Sequence, residues 1–127
     1  MHYSLDHIHL RCSDLDASIA YYEKMFDAKE VSRGDAKGMP IITLEMAGKR
    51  FCFSPKREGV DIGVEPDEPS WGLYQIALKV DNLDAAMAAL KERGAEISRG
   101  PLNLEGGLRV FFVEAPDGVE MEVMKYV

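Results

Sequence analysis

The stretch His7-Ile-His-Leu-Arg-Cys-Ser-Asp-Leu-Asp-Ala-Ser-Ile-Ala20 recurs 68 positions further along the chain as Gln75-Ile-Ala-Leu-Lys-Val-Asp-Asn-Leu-Asp-Ala-Ala-Met-Ala88. The two stretches are identical at six aligned positions, which in the first copy are Ile8, Leu10, Leu15, Asp16, Ala17 and Ala20. The ends of the halves align too, with a gap of two residues, since Gly48-Lys-Arg-Phe-Cys-Phe53 falls on Gly118-Val-Glu-Met-Glu-Val123. The chain is therefore predicted to contain two copies of one structural unit.

Strands are predicted at both ends of each half. Side chains alternate along a strand, so Leu5, His7, His9 and Arg11 share one face of the first strand. Three further strand candidates follow the predicted helix of each half, at about 29–34, 39–46 and 49–54, and at about 95–99, 108–114 and 119–125. Turn residues precede the last strand of each half, at Ala47-Gly48 and Pro116-Asp-Gly118.

One amphipathic helix is predicted in each half. Ser13 or Asp14 supplies the N-cap of the first helix, and Asp81 or Asn82 supplies that of the second. Gly94 stands where a glycine commonly follows the end of a helix. The apolar stripes at helical spacing are Leu15, Ile19, Tyr22 and Phe26 in the first half, and Leu83, Met87 and Leu90 in the second. Each half is therefore predicted to be a βαβββ unit.

The predicted fold class is α+β, with two tandem βαβββ units in a single domain over residues 1–127. The first unit covers residues 1–55 and the second covers 71–127, joined by an acidic linker rich in Pro and Gly at 56–70. Two such units can pack with their curved mixed sheets facing one another across a pseudo-twofold axis. We expect a shared cavity there, of the kind in which small-molecule sites form.

Composition excludes several classes of function. The net charge of −7 argues against nucleic-acid binding, which needs clustered Lys and Arg to neutralise phosphates. No apolar run approaches the roughly 20 residues of a membrane span, and no signal peptide opens the chain, so we expect a cytoplasmic protein without a membrane partner. The two cysteines are too few for a disulfide scaffold and lack metal-motif spacing.

Polar residues at equivalent strand positions predict the site. The first strands contribute His7 and Gln75, and the closing strands contribute Cys52 and Glu122. An imidazole, an amide and a carboxylate converging on one point would suit Zn²⁺, Ni²⁺, Co²⁺ or Mn²⁺. Other readings remain open: a hydrogen-bonded core histidine, a carboxylate paired with Arg or Lys, and a small buried hydrophobe at Cys52. We also expect an apolar wall of Ile42, Leu44, Val110 and Phe112.

These residues resemble the vicinal oxygen chelate superfamily of glyoxalase I, methylmalonyl-CoA epimerase, fosfomycin-resistance thiol transferases, bleomycin-resistance proteins and extradiol dioxygenases. The resemblance is carried by Asp6-His-Ile-His-Leu-Arg11, Asp14-Leu-Asp-Ala-Ser-Ile-Ala-Tyr-Tyr22, Gly72-Leu-Tyr-Gln-Ile-Ala-Leu78 and Pro116-Asp-Gly-Val-Glu-Met-Glu122. It covers essentially the whole chain and implies a single glyoxalase-like domain over 1–127. It also implies a homodimer with a small-molecule ligand or substrate.

Position by position, the resemblance implies that His7, Gln75 and Glu122 are metal ligands and that Glu122 is also the catalytic base. Gln75 stands where these enzymes usually have a histidine, and Cys52 stands where glyoxalases and epimerases have Glu or Gln. Arg11 matches an arginine that glyoxalase I uses to hold an anionic part of its substrate. With His9 and Phe112 it forms the predicted set of substrate-binding residues.

The implied function is that of a lyase or isomerase dependent on a divalent metal (Zn, Ni, Co or Mn), acting on a small oxygen-chelating metabolite. An Fe(II) dioxygenase would need two His and one carboxylate as ligands. His9 would then have to join His7, and adjacent residues on one strand face rarely bind the same ion, so this activity is disfavoured. The first alternative is a metal-free binding protein of the bleomycin-resistance type, which the acidic charge and the incomplete ligand set favour. A further alternative is a fosfomycin-type thiol transferase.

Overall fold

The structure, a computed structural model, describes residues 1–2, 4–36, 38–55, 73 and 75–127. The predicted linker at 56–70 lies outside the described residues. The chain divides into two compact units, Met1–Gly63 and Val64–Val127. None of the helices in the described ranges has the length and apolar character that crossing a membrane would require.

Each unit has the predicted βαβββ order. The elements of the first unit are β1 (His7–Cys12), α1 (Leu15–Phe26), β2 (Lys29–Ala36), β3 (Met39–Met46) and β4 (Lys49–Pro55). Those of the second unit are β5 (Gln75–Lys79), α2 (Leu83–Glu92), β6 (Ile97–Leu104), β7 (Leu108–Glu114) and β8 (Glu120–Tyr126). The α+β class and the tandem units are confirmed.

The two sheets have the same topology. Strand order is β1-β4-β3-β2 in the first unit and β5-β8-β7-β6 in the second, with one parallel pair at the edge of each sheet. In the first parallel pair, His9 lies opposite Cys52. In the second, Ala77 lies opposite Glu122 and Gln75 opposite Glu120. The residues that the sequence repeat aligns therefore occupy equivalent positions in the two ladders.

Side-chain caps begin both helices. The Asp14 carboxylate accepts a hydrogen bond from the backbone N–H of Ala17 (3.0 Å), and the Asn82 side-chain oxygen accepts one from Ala85 (3.0 Å). Of the candidates predicted for each cap, Asp14 and Asn82 are thus the ones used. Gly94 follows α2 with a φ of +90°, as expected for a glycine that ends a helix.

The N-cap at Asp14 gives a first testable prediction. Asp14→Ala should lower the free energy of unfolding by about 1 kcal/mol, because a backbone N–H in the first turn of α1 loses its acceptor. Urea denaturation of the full chain measures the change. Asp14→Asn keeps an acceptor oxygen and is the control. Equal losses in the two variants would contradict a capping role.

The first sheet packs against α1 through Phe53, which is fully buried with its ring centroid 5.2 Å from that of Tyr22. Ile42 lies opposite Phe53 in the register, so its side chain points to the same helix-facing side. Leu44, two residues on, shares that side and is also fully buried. Placing Ile42 and Leu44 in a cavity wall was therefore wrong.

The alternation along β3 explains this correction. The buried residues Ile42, Leu44 and Met46 alternate with Thr43 and Glu45, of which Glu45 is exposed. Since apolar side chains face the helix, the polar set belongs to the other face of the sheet. The sequence-based assignment was displaced by one residue, and a shift of one residue moves every side chain of a strand to the opposite face.

In the second unit, Arg109 on β7 forms an ion pair with Asp84 of α2 (3.7 Å), which identifies the helix-facing side of that strand. Val110 and Phe112 therefore point to the opposite side. Phe112 lies opposite Glu122 in the β7–β8 register. These two members of the predicted apolar wall thus share a sheet face with the predicted catalytic carboxylate.

The strand β6 is longer than predicted. It continues through Gly100-Pro101 to Leu104, with register irregularities on either side of Arg99. A Gly-Pro pair ordinarily signals a strand end, but proline is tolerated on an edge strand, where its missing N–H is not needed. Glycine is required at position 100, because an added Cβ would lie 2.9 Å from the Phe111 Cα.

Candidate functional site

Gln75 and Glu122 lie together on neighbouring parallel strands of the second unit. The Gln75 Nε2 donates a hydrogen bond to the Glu122 Oε2 at 2.8 Å. Glu122 is only 9% exposed, so little water can hydrogen-bond to its carboxylate. The Gln75 N–H replaces part of that hydration. The structure therefore brings together two of the three predicted metal ligands.

Two acceptor atoms beside this pair lack donors. The Gln75 Oε1 and the Glu120 Oε2 are both buried, and neither accepts a hydrogen bond from the described residues. A buried acceptor without a donor costs about 1–3 kcal/mol. A cation, or a ligand that donates hydrogen bonds, would remove that cost. This part of the sheet therefore suits an electropositive ligand atom.

His7 is held by its neighbour Asp6 in the first unit. The His7 Nδ1 lies 2.7 Å from the Asp6 Oδ2. Because an ionised carboxylate only accepts, Nδ1 carries a proton, and in the neutral ring Nε2 then has the lone pair. The hydrogen bond from His7 lowers the pKa of Asp6. A carboxylate that orients a histidine in this way is common behind metal-binding imidazoles.

His9 is engaged by a buried hydroxyl. Its Nε2 lies 2.8 Å from the Oγ of Ser54, which is fully buried. Partial burial, with smaller contributions from Arg11 and His7, lowers the pKa of His9. The ring is therefore neutral near pH 7. With Nε2 bonded to Ser54, His9 is better suited to contact a ligand than to bind a metal.

Arg11 extends along the end of the first sheet. One guanidinium nitrogen donates to the Pro55 carbonyl (3.1 Å) and also lies 3.1 Å from the Met39 sulfur. Both partners are uncharged, and no described carboxylate forms an ion pair with Arg11. Within the described ranges, its positive charge is therefore not neutralised by a carboxylate.

Phe112 supports an arginine that sequence reasoning missed. The Arg99 Cζ lies 4.0 Å from the centroid of the Phe112 ring, and Phe112 itself is 7% exposed. The Arg99 Nη2 also donates to the Glu120 Oε1 at 3.3 Å. The sequence signal for Arg99 would have been its pairing opposite Phe112, which the register irregularities on either side of Arg99 conceal.

Cys52 occupies the position in the first unit that Glu122 occupies in the second. Its sulfur lies 3.4 Å from the Thr43 Oγ1, and the side chain is half-buried. A thiol hydrogen-bonded to a hydroxyl offers no ready-made negative charge. The repeat therefore supplies a carboxylate at this position in only one of its two copies.

The donor set fits a divalent metal in its chemistry. His7 offers a ring nitrogen, Gln75 an amide oxygen to which none of the described residues donates, and Glu122 a carboxylate, all of which bind borderline divalent ions. Nowhere in the described ranges do three or more His, Cys, Asp or Glu side chains gather closely enough to hold a metal. The predicted set contains only two such side chains, because its third member is an amide.

Comparison with known proteins identifies the family. The model of the Glyoxalase/Bleomycin resistance protein/Dioxygenase superfamily matches residues 4–123. The chain belongs to this superfamily. The resemblance predicted from the sequence is thereby confirmed, since the match covers both βαβββ units and all of the predicted site residues.

Among curated relatives of this superfamily member, the lactoylglutathione lyase of Escherichia coli O157:H7 is 29% identical over 126 residues, covering 94% of this chain and 90% of the relative. The uncharacterized protein YwbC of Bacillus subtilis is 30% identical over 122 residues, covering 93% of this chain and 94% of the relative. The matches span both units, so the superfamily assignment applies to the chain as a whole.

A solved structure of the fosfomycin resistance protein FosX from Listeria monocytogenes has the same fold, with a TM-score of 0.69 at 20% identity, and covers 97% of this chain and 90% of its own. That FosX variant was crystallised with Mn(II) and 1S,2S-dihydroxypropylphosphonic acid. At this identity the likeness concerns the fold alone.

Proposed function

We propose that the protein is a lyase or isomerase of the glyoxalase type, dependent on a divalent metal and acting on a small metabolite with adjacent oxygens. The observation that carries the proposal is the Gln75–Glu122 pair, in which a buried carboxylate lies next to a buried amide oxygen that accepts no hydrogen bond from the described part of the chain. Such a pair is costly in the absence of a ligand and favourable with a cation. The lactoylglutathione lyase relatives support the same reaction class.

His7, Gln75 and Glu122 are the proposed metal ligands, with Zn, Ni, Co or Mn as the ion. A bound divalent ion would act as a Lewis acid on the adjacent oxygens of the substrate. In neutral His7 the bond to Asp6 holds the proton on Nδ1, so that Nε2 is the nitrogen that can bind a metal. Gln75 restrains the Glu122 Oε2 through its amide N–H. Both contacts reduce the reorganisation that ligand binding requires.

Glu122 is also the proposed base. Its carboxylate is nine-tenths buried, where little water competes for it, and one oxygen is hydrogen-bonded to Gln75. The second oxygen can then accept a proton from a substrate carbon. Neutral His9 and cationic Arg11 are proposed to contact the polar parts of the substrate, and Phe112 its apolar part. We further propose that the protein works as a homodimer.

Metal removal tests this function. Protein purified without added metal should contain a stoichiometric divalent ion by elemental analysis, or should take one up after dialysis. Conversion of methylglyoxal and glutathione to S-lactoylglutathione should depend on that ion, because its Lewis acidity is withdrawn by a chelator. The assay is run before chelation, after EDTA dialysis, and after reloading with each metal. Protein that binds none of the four ions would overturn the proposal.

A metal-free binding protein of the bleomycin-resistance type is the second candidate. It is favoured by Cys52, which leaves the first unit without a carboxylate at the position equivalent to Glu122. The net charge of −7 also suits a cationic ligand. Binding of bleomycin that is unchanged by EDTA, in protein that takes up no metal, would establish this candidate in place of the enzyme.

A further inference from the structure

A row of functional side chains crosses the second sheet on the face opposite α2. Arg99 on β6 lies opposite Phe112 on β7, and Phe112 lies opposite Glu122 on β8. Neighbouring strands are about 4.8 Å apart, so Arg99 and Glu122 are about 10 Å apart at their backbones. The long arginine side chain shortens that separation by lying over the Phe112 ring.

The Arg99 guanidinium is held in place, but the described residues use only part of its hydrogen-bonding capacity. Its stacking on Phe112 at 4.0 Å restrains its position, while 51% of the side chain remains exposed. Its sole hydrogen bond to the described residues is the 3.3 Å contact with Glu120. A half-exposed ion pair of this length contributes little to the stability of the fold. An incoming oxoanion can therefore replace Glu120 at low cost, and the planar fork suits a bidentate contact.

Two buried acceptors on the same face have no donor among the described residues. The buried Gln75 Oε1 and Glu120 Oε2 accept no hydrogen bond from the described residues. A ligand that satisfies the free guanidinium nitrogens and at least one of these acceptors must combine an oxoanion with a donor such as a hydroxyl. A neutral or purely anionic molecule would meet only one of the two requirements.

We infer that Arg99 determines substrate specificity by binding the carboxylate or phosphonate of a small hydroxylated acid, and that Glu120 competes with this anion for the guanidinium. The inference deepens the proposed function and rests on it for placing the reacting oxygens of the substrate near Glu122. Phe112 acts as the platform that positions Arg99. The hydroxyl of the ligand donates to one of these acceptors, the Gln75 Oε1 or the Glu120 Oε2.

Calorimetric titration with glycolate tests the inference. Arg99→Met should weaken glycolate binding at least about tenfold, because a charge-assisted hydrogen bond is lost. Glu120→Gln should tighten binding by about twofold to fivefold, because the competing charge is removed. These opposite effects are specific to competition for one guanidinium. A Glu120→Gln variant that binds glycolate no better than wild type would overturn the role assigned to Glu120.

Matched controls separate the site from the overall charge. Arg109→Met removes the same charge from the adjacent strand β7 but on the face that pairs with α2, so it should leave glycolate affinity within about twofold. Arg99→Lys keeps the charge without the fork and should give an intermediate affinity, with an unchanged melting temperature as the check on folding. Equal effects of Arg99→Met and Arg109→Met would overturn the inference.

Two further probes, a neutral analogue and a phosphonate analogue of glycolate, define the ligand chemistry. Glycolamide, which lacks the anion, should bind weakly and without dependence on Arg99, and hydroxymethylphosphonate distinguishes a phosphonate from a carboxylate. Titrations are made on EDTA-treated protein and again with Mn²⁺. Failure to bind Mn²⁺ or any of the other three ions counts against the proposed function alone. Absence of glycolate and hydroxymethylphosphonate binding by wild-type protein in both states overturns the inference.

Discussion

Glu122→Gln is expected to abolish stoichiometric metal binding and to lower lyase or isomerase activity by at least about 10²-fold. The activity loss follows from removing a general base, which typically contributes about 10²–10⁴-fold. Removing a residue that only hydrogen-bonds to a metal ligand typically lowers metal affinity by about 10–100-fold. Removing the ligand itself should lower metal affinity at least as much. Glutamine matches the shape of glutamate and can still accept the Gln75 N–H, so the fold should be retained.

Metal affinity is measured by competition with a chromogenic chelator, and activity by formation of S-lactoylglutathione. Glu92→Gln is the matched control, because it removes the same charge from an exposed position on α2 of the same unit. Wild-type metal content in Glu122→Gln would exclude Glu122 as a ligand. The absence of metal from both the variant and the wild type would instead favour the metal-free binding protein.

Phe53→Ala should destabilise the chain by about 3–5 kcal/mol, the largest effect on stability that we expect from one substitution. Phe53 is fully buried, lies between Leu10 and Ile42 in the sheet register, and contacts Tyr22 on α1. Its loss leaves a cavity where the helix meets the sheet. Because the free energy of unfolding of a domain is typically about 5–15 kcal/mol, such a loss is a large part of it.

Chemical denaturation followed by circular dichroism measures this effect. Phe53→Leu keeps most of the buried volume and should cost clearly less than Phe53→Ala. Val31→Ala, at an exposed position on β2, controls for the loss of apolar atoms as such. A Phe53→Ala variant within 1 kcal/mol of wild type would contradict the packing described for α1.

Local signals predicted most of the fold because they occur twice. The caps at Asp14 and Asn82, and the glycine at 94, depend on interactions within a few residues, and such interactions are visible in the sequence. The extent of β6 was not predictable in this way. Its continuation through Gly100-Pro101 depends on an edge position in the sheet, and a linear pattern does not specify which strands are edges.

The candidate site was predictable in its strand positions but not in its contacts. Alternation placed Gln75 and Glu122 on one face, and the structure shows them hydrogen-bonded. The partners Ser54 of His9 and Arg99 of Phe112 depend on the register between paired strands. Register follows from packing of the whole sheet, so these contacts require three-dimensional coordinates.

The equivalent registers of the two ladders bear on how such proteins diversify. Cys52 and Glu122 share a backbone environment, yet one copy has a thiol and the other a carboxylate. After a duplication, one copy can lose a reactive side chain while its twin preserves the chemistry, and the scaffold is unchanged. New specificities can then arise by substitution at a few matched strand positions, without insertion or refolding.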